Sequence, residues 1–185
     1  MASAHLVLGG ARSGKSRFAL SLQPAGARVV FVATAHAGDA DLAARIARHR
    51  AERPPRWLTV EEPLALAATL KRVTSEAVDA VVVDCLTLWV ANRLLQGDRD
   101  DAVLAEADEI AALIGRRSCA LTLVSNEVGE GVHPETAVGL RFRDVLGLVN
   151  QVLAAACDRV TLMVAGIPLA IKMRPPGDER APQAP

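Results

Sequence analysis

The sequence GGARSGKS at residues 9–16 matches the phosphate-binding pattern G-x-x-x-x-G-K-[ST]. In this pattern glycines let backbone N–H groups close around phosphates, Lys15 reaches the β- and γ-phosphates, and the Ser16 hydroxyl is a ligand of Mg²⁺. The stretch HLVL at residues 5–8 predicts a short buried strand before the loop, and residues 16–22 predict a helix after it. The positive end of that helix would point at the bound anion. The stretch therefore predicts a nucleoside triphosphate site.

The remainder of the chain alternates between strand-like and helix-like segments. Continuous apolar runs of strand length are typical of strands that are buried on both faces of a parallel sheet. The order predicts an α/β fold: a single P-loop NTPase-type domain with a mostly parallel sheet flanked by helices. We expect this domain to span residues 1–173 and the proline-rich tail, 174–185, to be disordered. Strands are predicted at 28–33, 57–60, 80–84, 120–124, 160–165 and 169–173, and helices at 39–53, 61–73, 86–95, 103–114 and 138–153.

Composition limits the partners of the protein. Lys and Arg total 21, Asp and Glu total 21, and aromatic residues are 3% of the chain. A balanced charge gives no overall field toward nucleic acid or an anionic membrane, and so few aromatics cannot build base-stacking platforms. Cys85, Cys119 and Cys157 lie in apolar surroundings without a C-x-x-C pattern, as reduced core thiols do. We expect a cytoplasmic protein with no nucleic-acid or membrane partner.

An acidic residue at the end of a second predicted strand complements the loop. The apolar residues 80–83 end in Asp84, and in P-loop proteins a carboxylate at the end of a buried strand lies beside Mg²⁺. Buried strands also end in Asp for structural reasons, so this pattern is weak alone. Together with the loop, it favours Asp84 as a metal ligand beside Ser16.

His49 is the candidate for a second chemistry. At about 100° per residue, His49 falls on one stripe of its predicted helix with Leu42, Ile46 and Arg53, and therefore faces the protein. Periodicity alone favours a core histidine that is hydrogen-bonded to a neighbour. The alternative is an imidazole beside bound triphosphate that attacks phosphorus as a nucleophile while arginines neutralise the phosphate charge. Both interpretations stay open on these residues alone.

Several longer stretches closely resemble the bifunctional adenosylcobinamide kinase/adenosylcobinamide-phosphate guanylyltransferase family of cobalamin synthesis. Besides the loop, they include VATA (32–35), AARIARHRAERP (43–54), VVDCLTLWVAN (82–92) and SNEVGEGVHPE (125–135). The resemblance implies a P-loop α/β fold and a corrinoid substrate. It implies phosphorylation of adenosylcobinamide by ATP or GTP, and then GMP transfer from GTP, through a guanylyl-histidine, to adenosylcobinamide phosphate. It further implies use of Mg²⁺ and a homo-oligomer, with a trimer as the expected state.

The resemblance also assigns residues. His49 corresponds to the guanylylated histidine, and many relatives carry a second histidine where this chain has Arg48. Lys15 is the second catalytic residue, Ser16 and Asp84 are the metal ligands, and His133 is interpreted as a surface substitution. The implied nucleotide contacts are Gly9, Gly10, Ala11, Arg12, Ser13, Gly14, Lys15, Ser16, Ala33, Thr34, Ala35, Arg50, Ala51, Glu52, Arg53, Glu61 or Glu62, and Asp84.

Two other functions are compatible with a phosphate loop. One is a P-loop kinase for another small molecule, with a single activity and a structural His49. The other is a non-catalytic, nucleotide-gated module. A GTPase switch should carry N-K-x-D for guanine, and this tetrapeptide does not occur in the sequence.

Overall fold

A seven-stranded sheet organises the computed structural model, which describes residues 2–35 and 53–173. The strand order is β3-β2-β4-β5-β1-β6-β7. All neighbouring strands from β3 to β6 are parallel, and β7 is antiparallel to β6. The predicted α/β fold with a mostly parallel sheet is confirmed. The strands are β1 (Ala4–Gly9), β2 (Val29–Ala33), β3 (Leu58–Glu61), β4 (Ala80–Asp84), β5 (Ala120–Val124), β6 (Arg159–Val164) and β7 (Ile167–Met173).

Five helices of the described ranges flank the sheet. They are α1 (Lys15–Ser21), α2 (Leu66–Thr74), α3 (Leu86–Leu95), α4 (Asp100–Gly115) and α5 (Ala137–Ala156). The predicted start of α2 at residues 61–63 is wrong, because the Glu62 carboxylate accepts the N–H groups of Leu64 and Ala65 and holds them in a turn. The predicted helix at 39–53 lies outside the described residues except for Arg53, which forms a bend. The tail at 174–185 also lies outside them.

Apolar side chains fill both faces of the sheet. The larger core includes Leu6, Val83, Trp89 and Leu146. A smaller cluster contains Ala19 from α1 and Phe31 from β2. The whole of β2 and residues 80–83 of β4 are buried, as the apolar runs predict. None of the helices in the described parts of the chain is long and apolar enough to cross a membrane.

The cysteines are free thiols in this fold. Cys119 and Cys157 are buried, and Cys85 is partly buried. Burial raises the pKa of the Cys157 thiol to about 12, so this side chain stays a neutral core group near neutral pH. The core position predicted for Cys119 and Cys157 is confirmed.

Parallel pairing places the functional segments at one edge. The carboxyl ends of β1, β2, β4 and β5 are Gly9, Ala33, Asp84 and Val124. Registers across the sheet pair Ala33 with Asp84, and Asp84 with Val124. Open α/β sheets bind ligands outside the carboxyl ends of their strands, so the candidate site lies at this edge.

Candidate functional site

The phosphate loop joins β1 to α1, in the strand–loop–helix context that the sequence predicts. Gly9 has a φ of 150°, and a Cβ there would lie 2.6 Å from both the Met163 carbonyl oxygen and Ser13 Oγ. Gly14 has a φ of 94° and immediately precedes α1. These glycines are therefore required by close backbone approach and by left-handed conformation.

Hydrogen bonds to neighbouring segments hold the loop. Its Ser13 carbonyl accepts the Gly166 N–H at 3.1 Å, and its Gly9 carbonyl accepts the Glu127 N–H at 3.2 Å. Within the part of the chain that the structure describes, the buried Ser13 Oγ has no hydrogen-bond partner. Buried hydroxyls are normally paired, so a phosphate oxygen is a chemically suitable acceptor here.

Lys15 is held inside the loop. Its side chain is buried, with the residue 8% exposed, and its Nζ donates to the Gly10 carbonyl oxygen at 2.7 Å. Burial lowers the pKa of Lys15 below its usual value, and the nearby Cys85 and Asp84 oppose this shift. An anionic phosphate would favour the charged ammonium further, because it supplies opposite charge at short range.

The metal-ligand residues predicted from sequence lie on two elements that meet this edge. Asp84 ends β4, and Ser16 lies in the first turn of α1. No group of three or more His, Cys, Asp or Glu side chains that could hold a metal ion occurs in residues 2–35 and 53–173. Mg²⁺ is usually bound by one or two carboxylates together with phosphate and water oxygens. A hydroxyl and a carboxylate therefore fit Mg²⁺ that arrives with a nucleotide.

Thr34 fixes the junction of β2 and β4. Its hydroxyl donates to the Cys85 carbonyl oxygen at 2.6 Å and accepts the Cys85 N–H at 2.8 Å. Its carbonyl oxygen accepts Asn92 Nδ2 at 2.8 Å, and the same amide reaches the Pro63 carbonyl oxygen at 3.2 Å. The Thr34 side chain thus orders the edge on which Asp84 lies. Sequence reasoning missed Asn92, although it lies in the matched stretch 82–92.

Arg53 is the described member of the basic segment. Its guanidinium lies 3.6 Å from the centroid of the Phe31 ring, and its Nη1 donates to Thr59 Oγ1 at 3.2 Å. These contacts place Arg53 on β2 and β3, two strands that end at the candidate site. The other predicted residues of this segment, His49, Arg50, Ala51 and Glu52, lie outside the described residues.

Glu61 and Glu62 have different surroundings. Glu62 Oε1 accepts the N–H groups of Leu64 and Ala65 at 2.9 and 2.7 Å, and Oε2 accepts the Thr69 hydroxyl at 3.1 Å. Desolvation would raise the pKa of Glu62, but these hydrogen bonds outweigh it and hold the pKa below its usual value. Glu61 is exposed at the end of β3, opposite Ala33. These contacts give Glu62 a structural role, and Glu61 is the more exposed of the two carboxylates at this edge.

Comparison with known proteins identifies the family of the chain. Residues 5–171 match the family described as cobinamide kinase / cobinamide phosphate guanyltransferase. The chain belongs to this family. It is 47% identical over 171 residues to the bifunctional adenosylcobalamin biosynthesis protein CobP of Pseudomonas aeruginosa, covering 92% of this chain and 98% of that one. It is 42% identical over 179 residues to CobU of Salmonella typhimurium, with coverages of 90% and 98%.

The resemblance to the cobinamide kinase / cobinamide phosphate guanyltransferase family is thereby confirmed, and the chain is a transferase of this family. A solved ATPase of a bacterial type III secretion system is similar in structure, with a TM-score of 0.55 and 12% identity. The match covers 86% of this chain and 50% of the ATPase. At this identity the likeness supports the P-loop NTPase-type fold alone.

Substitution can distinguish the roles of Glu61 and Glu62. Glu62→Ala leaves three donors without their acceptor and is expected to lower the free energy of unfolding by about 1–3 kcal/mol, with little change in the KM for nucleotide. Glu61→Ala is expected to raise that KM several-fold. Thermal denaturation and initial rates measure both effects, and the reverse pattern would contradict the assignment.

The Glu62 effect also has a defined pH dependence. Because the folded-state pKa of Glu62 is lowered, its stabilisation is present above the unfolded-state pKa and is lost as pH falls through the folded-state value. The difference in stability between the unsubstituted protein and Glu62→Ala should therefore shrink in acid.

Proposed function

We propose that the protein phosphorylates adenosylcobinamide with ATP or GTP and then transfers GMP from GTP to adenosylcobinamide phosphate. The products of the second reaction are adenosyl-GDP-cobinamide and pyrophosphate. The observation that carries this proposal is the phosphate loop, with buried Lys15, at the same sheet edge as Asp84 in a chain of this family. We further propose that the protein works in the cytoplasm.

In the first reaction, the hydroxyl oxygen of the aminopropanol arm attacks the γ-phosphorus. The bond from that phosphorus to the bridging β-phosphate oxygen breaks, the nucleoside diphosphate leaves, and the hydroxyl proton passes to solvent. Lys15 and the loop amides stabilise charge on the transferred group. Mg²⁺, when bound, would neutralise phosphate charge, and Ser16 and Asp84 would hold it.

In the second reaction, an imidazole nitrogen of His49 attacks the α-phosphorus of GTP, and pyrophosphate leaves. A phosphate oxygen of adenosylcobinamide phosphate then attacks the same phosphorus, the P–N bond breaks, and the imidazole is regenerated. Arg50 and Arg53 would neutralise phosphate charge during both steps. The role of His49 rests on the family resemblance.

Product analysis tests the proposal directly. The purified protein is incubated with adenosylcobinamide, GTP and Mg²⁺. The corrinoids are then separated and identified by mass spectrometry. We expect adenosylcobinamide phosphate first and adenosyl-GDP-cobinamide later. Accumulation of the phosphate alone would favour the single-activity kinase, and unchanged adenosylcobinamide would favour the non-catalytic module.

We also propose a homo-oligomer, with a trimer as the expected state. Edge strand β7 supports self-association because Ile167 and Met173 are 69% and 68% exposed on it. Open sheet edges with large exposed apolar side chains are prone to pair with another chain. Light scattering on the purified protein measures the state.

A further inference from the structure

An open apolar cleft lies between the carboxyl end of α3 and the amino end of α5. Its volume is about 310 Å³. Leu94 and Leu95 line it from α3, and Val138 and Phe142 line it from α5. Leu95 is 79% exposed and Val138 is 66% exposed. Large apolar side chains exposed together in a concave surface are typical of a binding site.

The two helices that form the cleft follow β4 and β5, which end at the same sheet edge as the phosphate loop. Helix α3 begins two residues after Asp84, and its residue Asn92 still reaches the Thr34 carbonyl oxygen at the carboxyl end of β2. The segment that leads to α5 leaves β5 beside the loop, where Glu127 N–H donates to the Gly9 carbonyl. Both walls of the cleft therefore originate at the candidate nucleotide site.

Hydrogen bonds and ion pairs hold the α3 wall in place. Trp89 Nε1 donates to the Leu64 carbonyl oxygen at 2.8 Å, and Arg93 pairs with Asp98 and Glu106. Arg93 also lies over the Trp89 ring. Contacts within the protein therefore position the α3 wall.

Thr136 is the polar residue that lines the cleft. Arg141, next to Phe142 in α5, donates to the Asp100 carboxylate at 2.6 Å and to the Asp98 carbonyl oxygen at 2.5 Å. The site thus offers an apolar floor beside hydrogen-bonding groups. A ligand that fits it has an apolar body with polar substituents around its periphery.

We propose that this cleft binds the methyl-bearing edge of the corrin macrocycle of the cobinamide substrate. The inference rests on the proposed function, which requires a corrinoid whose hydroxyl arm reaches the phosphate loop. Ligand pockets are commonly about 300–1,000 Å³, so a 310 Å³ cleft takes one edge of so large a ring and leaves its amide side chains outside the apolar lining. The same cleft serves both reactions, because both substrates carry the same macrocycle.

The test uses Leu95→Ser and Val138→Ser, two exposed positions where substitution leaves the core intact. Each is expected to raise the KM for adenosylcobinamide and for adenosylcobinamide phosphate about tenfold, with the KM for GTP unchanged. Leu148→Ser is the matched control, because Leu148 is exposed on α5 and does not line the cleft. An unchanged corrinoid KM in both cleft variants, or an equal increase in Leu148→Ser, would overturn the inference.

Direct binding keeps this test independent of catalysis. Equilibrium dialysis of dicyanocobinamide, followed by its visible absorbance, is expected to show about tenfold weaker binding by Leu95→Ser and Val138→Ser. If the unsubstituted protein binds the corrinoid but does not turn over its adenosylated form, the proposed function fails and the cleft is still tested by these affinities. A change of oligomeric state in the cleft variants, or a loss restricted to adenosylated corrinoids, would overturn the macrocycle assignment.

Discussion

Lys15→Ala is expected to abolish both nucleotide-dependent reactions and to lower each rate by at least about 10³-fold. The Lys15 ammonium is buried in the loop, where its Nζ lies 2.7 Å from the Gly10 carbonyl oxygen. A fixed charge in a site that excludes water stabilises developing phosphate charge far more than the same charge does in water. Initial rates of phosphoryl transfer to adenosylcobinamide, and of GMP transfer to its phosphate, measure the loss.

Arg17→Ala is the matched control for Lys15→Ala. Arg17 is also a basic residue of α1, but it is exposed and lies just beyond the loop. The substitution removes one positive charge at the surface, where screening is strong. Both rates should therefore stay within about twofold of those of the unsubstituted protein. Substantial phosphoryl transfer by a folded Lys15→Ala protein would show that residues 9–16 are not the phosphate site.

The pH dependence of nucleotide binding provides a second measurement on Lys15. Burial lowers the pKa of this side chain in the nucleotide-free protein, while triphosphate binding needs the charged form. Affinity for MgGTP should therefore fall as pH rises through the lowered pKa, at a lower pH than the usual lysine value would give. Calorimetric titrations at increasing pH measure this fall, and Lys15→Ala should lack it.

The parts of the fold that the sequence predicts well are those dictated by local chemistry. The phosphate loop follows from its glycines, since Gly9 and Gly14 adopt conformations that other residues avoid. The buried strands β2 and β4 follow from uninterrupted apolar runs, because only a sheet covered on both faces hides such runs from water. Asp84 follows from its place at the end of one of them.

The parts that were not predicted depend on side-chain hydrogen bonds and packing contacts that hydrophobic periodicity does not encode. Pro63 is suited to the first turn of a helix, yet the Glu62 carboxylate captures the following N–H groups and delays α2 to Leu66. The family resemblance implies Thr34 as a nucleotide contact, whereas the bonds of its hydroxyl to Cys85 and of its carbonyl to Asn92 were not predicted. The cleft between α3 and α5 likewise joins residues far apart in the chain, which no local pattern reveals.

His49→Asn is expected to abolish GMP transfer while phosphorylation of adenosylcobinamide stays within about threefold of the unsubstituted rate. Only the second reaction needs a nucleophilic imidazole, because the substrate hydroxyl attacks phosphorus directly in the first. With GTP labelled at the α-phosphate, the unsubstituted protein should retain label after denaturation. The label should be acid-labile and base-stable, as a phosphorus–nitrogen bond is, and absent from His49→Asn.

Two further histidines, His5 and His133, lie in the described residues and bear on this labelling. His5 is buried beside the Thr161 hydroxyl at 2.8 Å, and burial and Arg159 lower its pKa, so its ring is committed to the core. His133 is exposed, and His133→Asn should therefore retain full label as the control. Loss of both reactions in His49→Asn would indicate a damaged fold, whereas an unlabelled unsubstituted protein under turnover conditions would eliminate the covalent step. Retained phosphorylation with lost label would separate the two reactions on one phosphate loop, because Lys15 remains in place for the first while the second has lost its nucleophile.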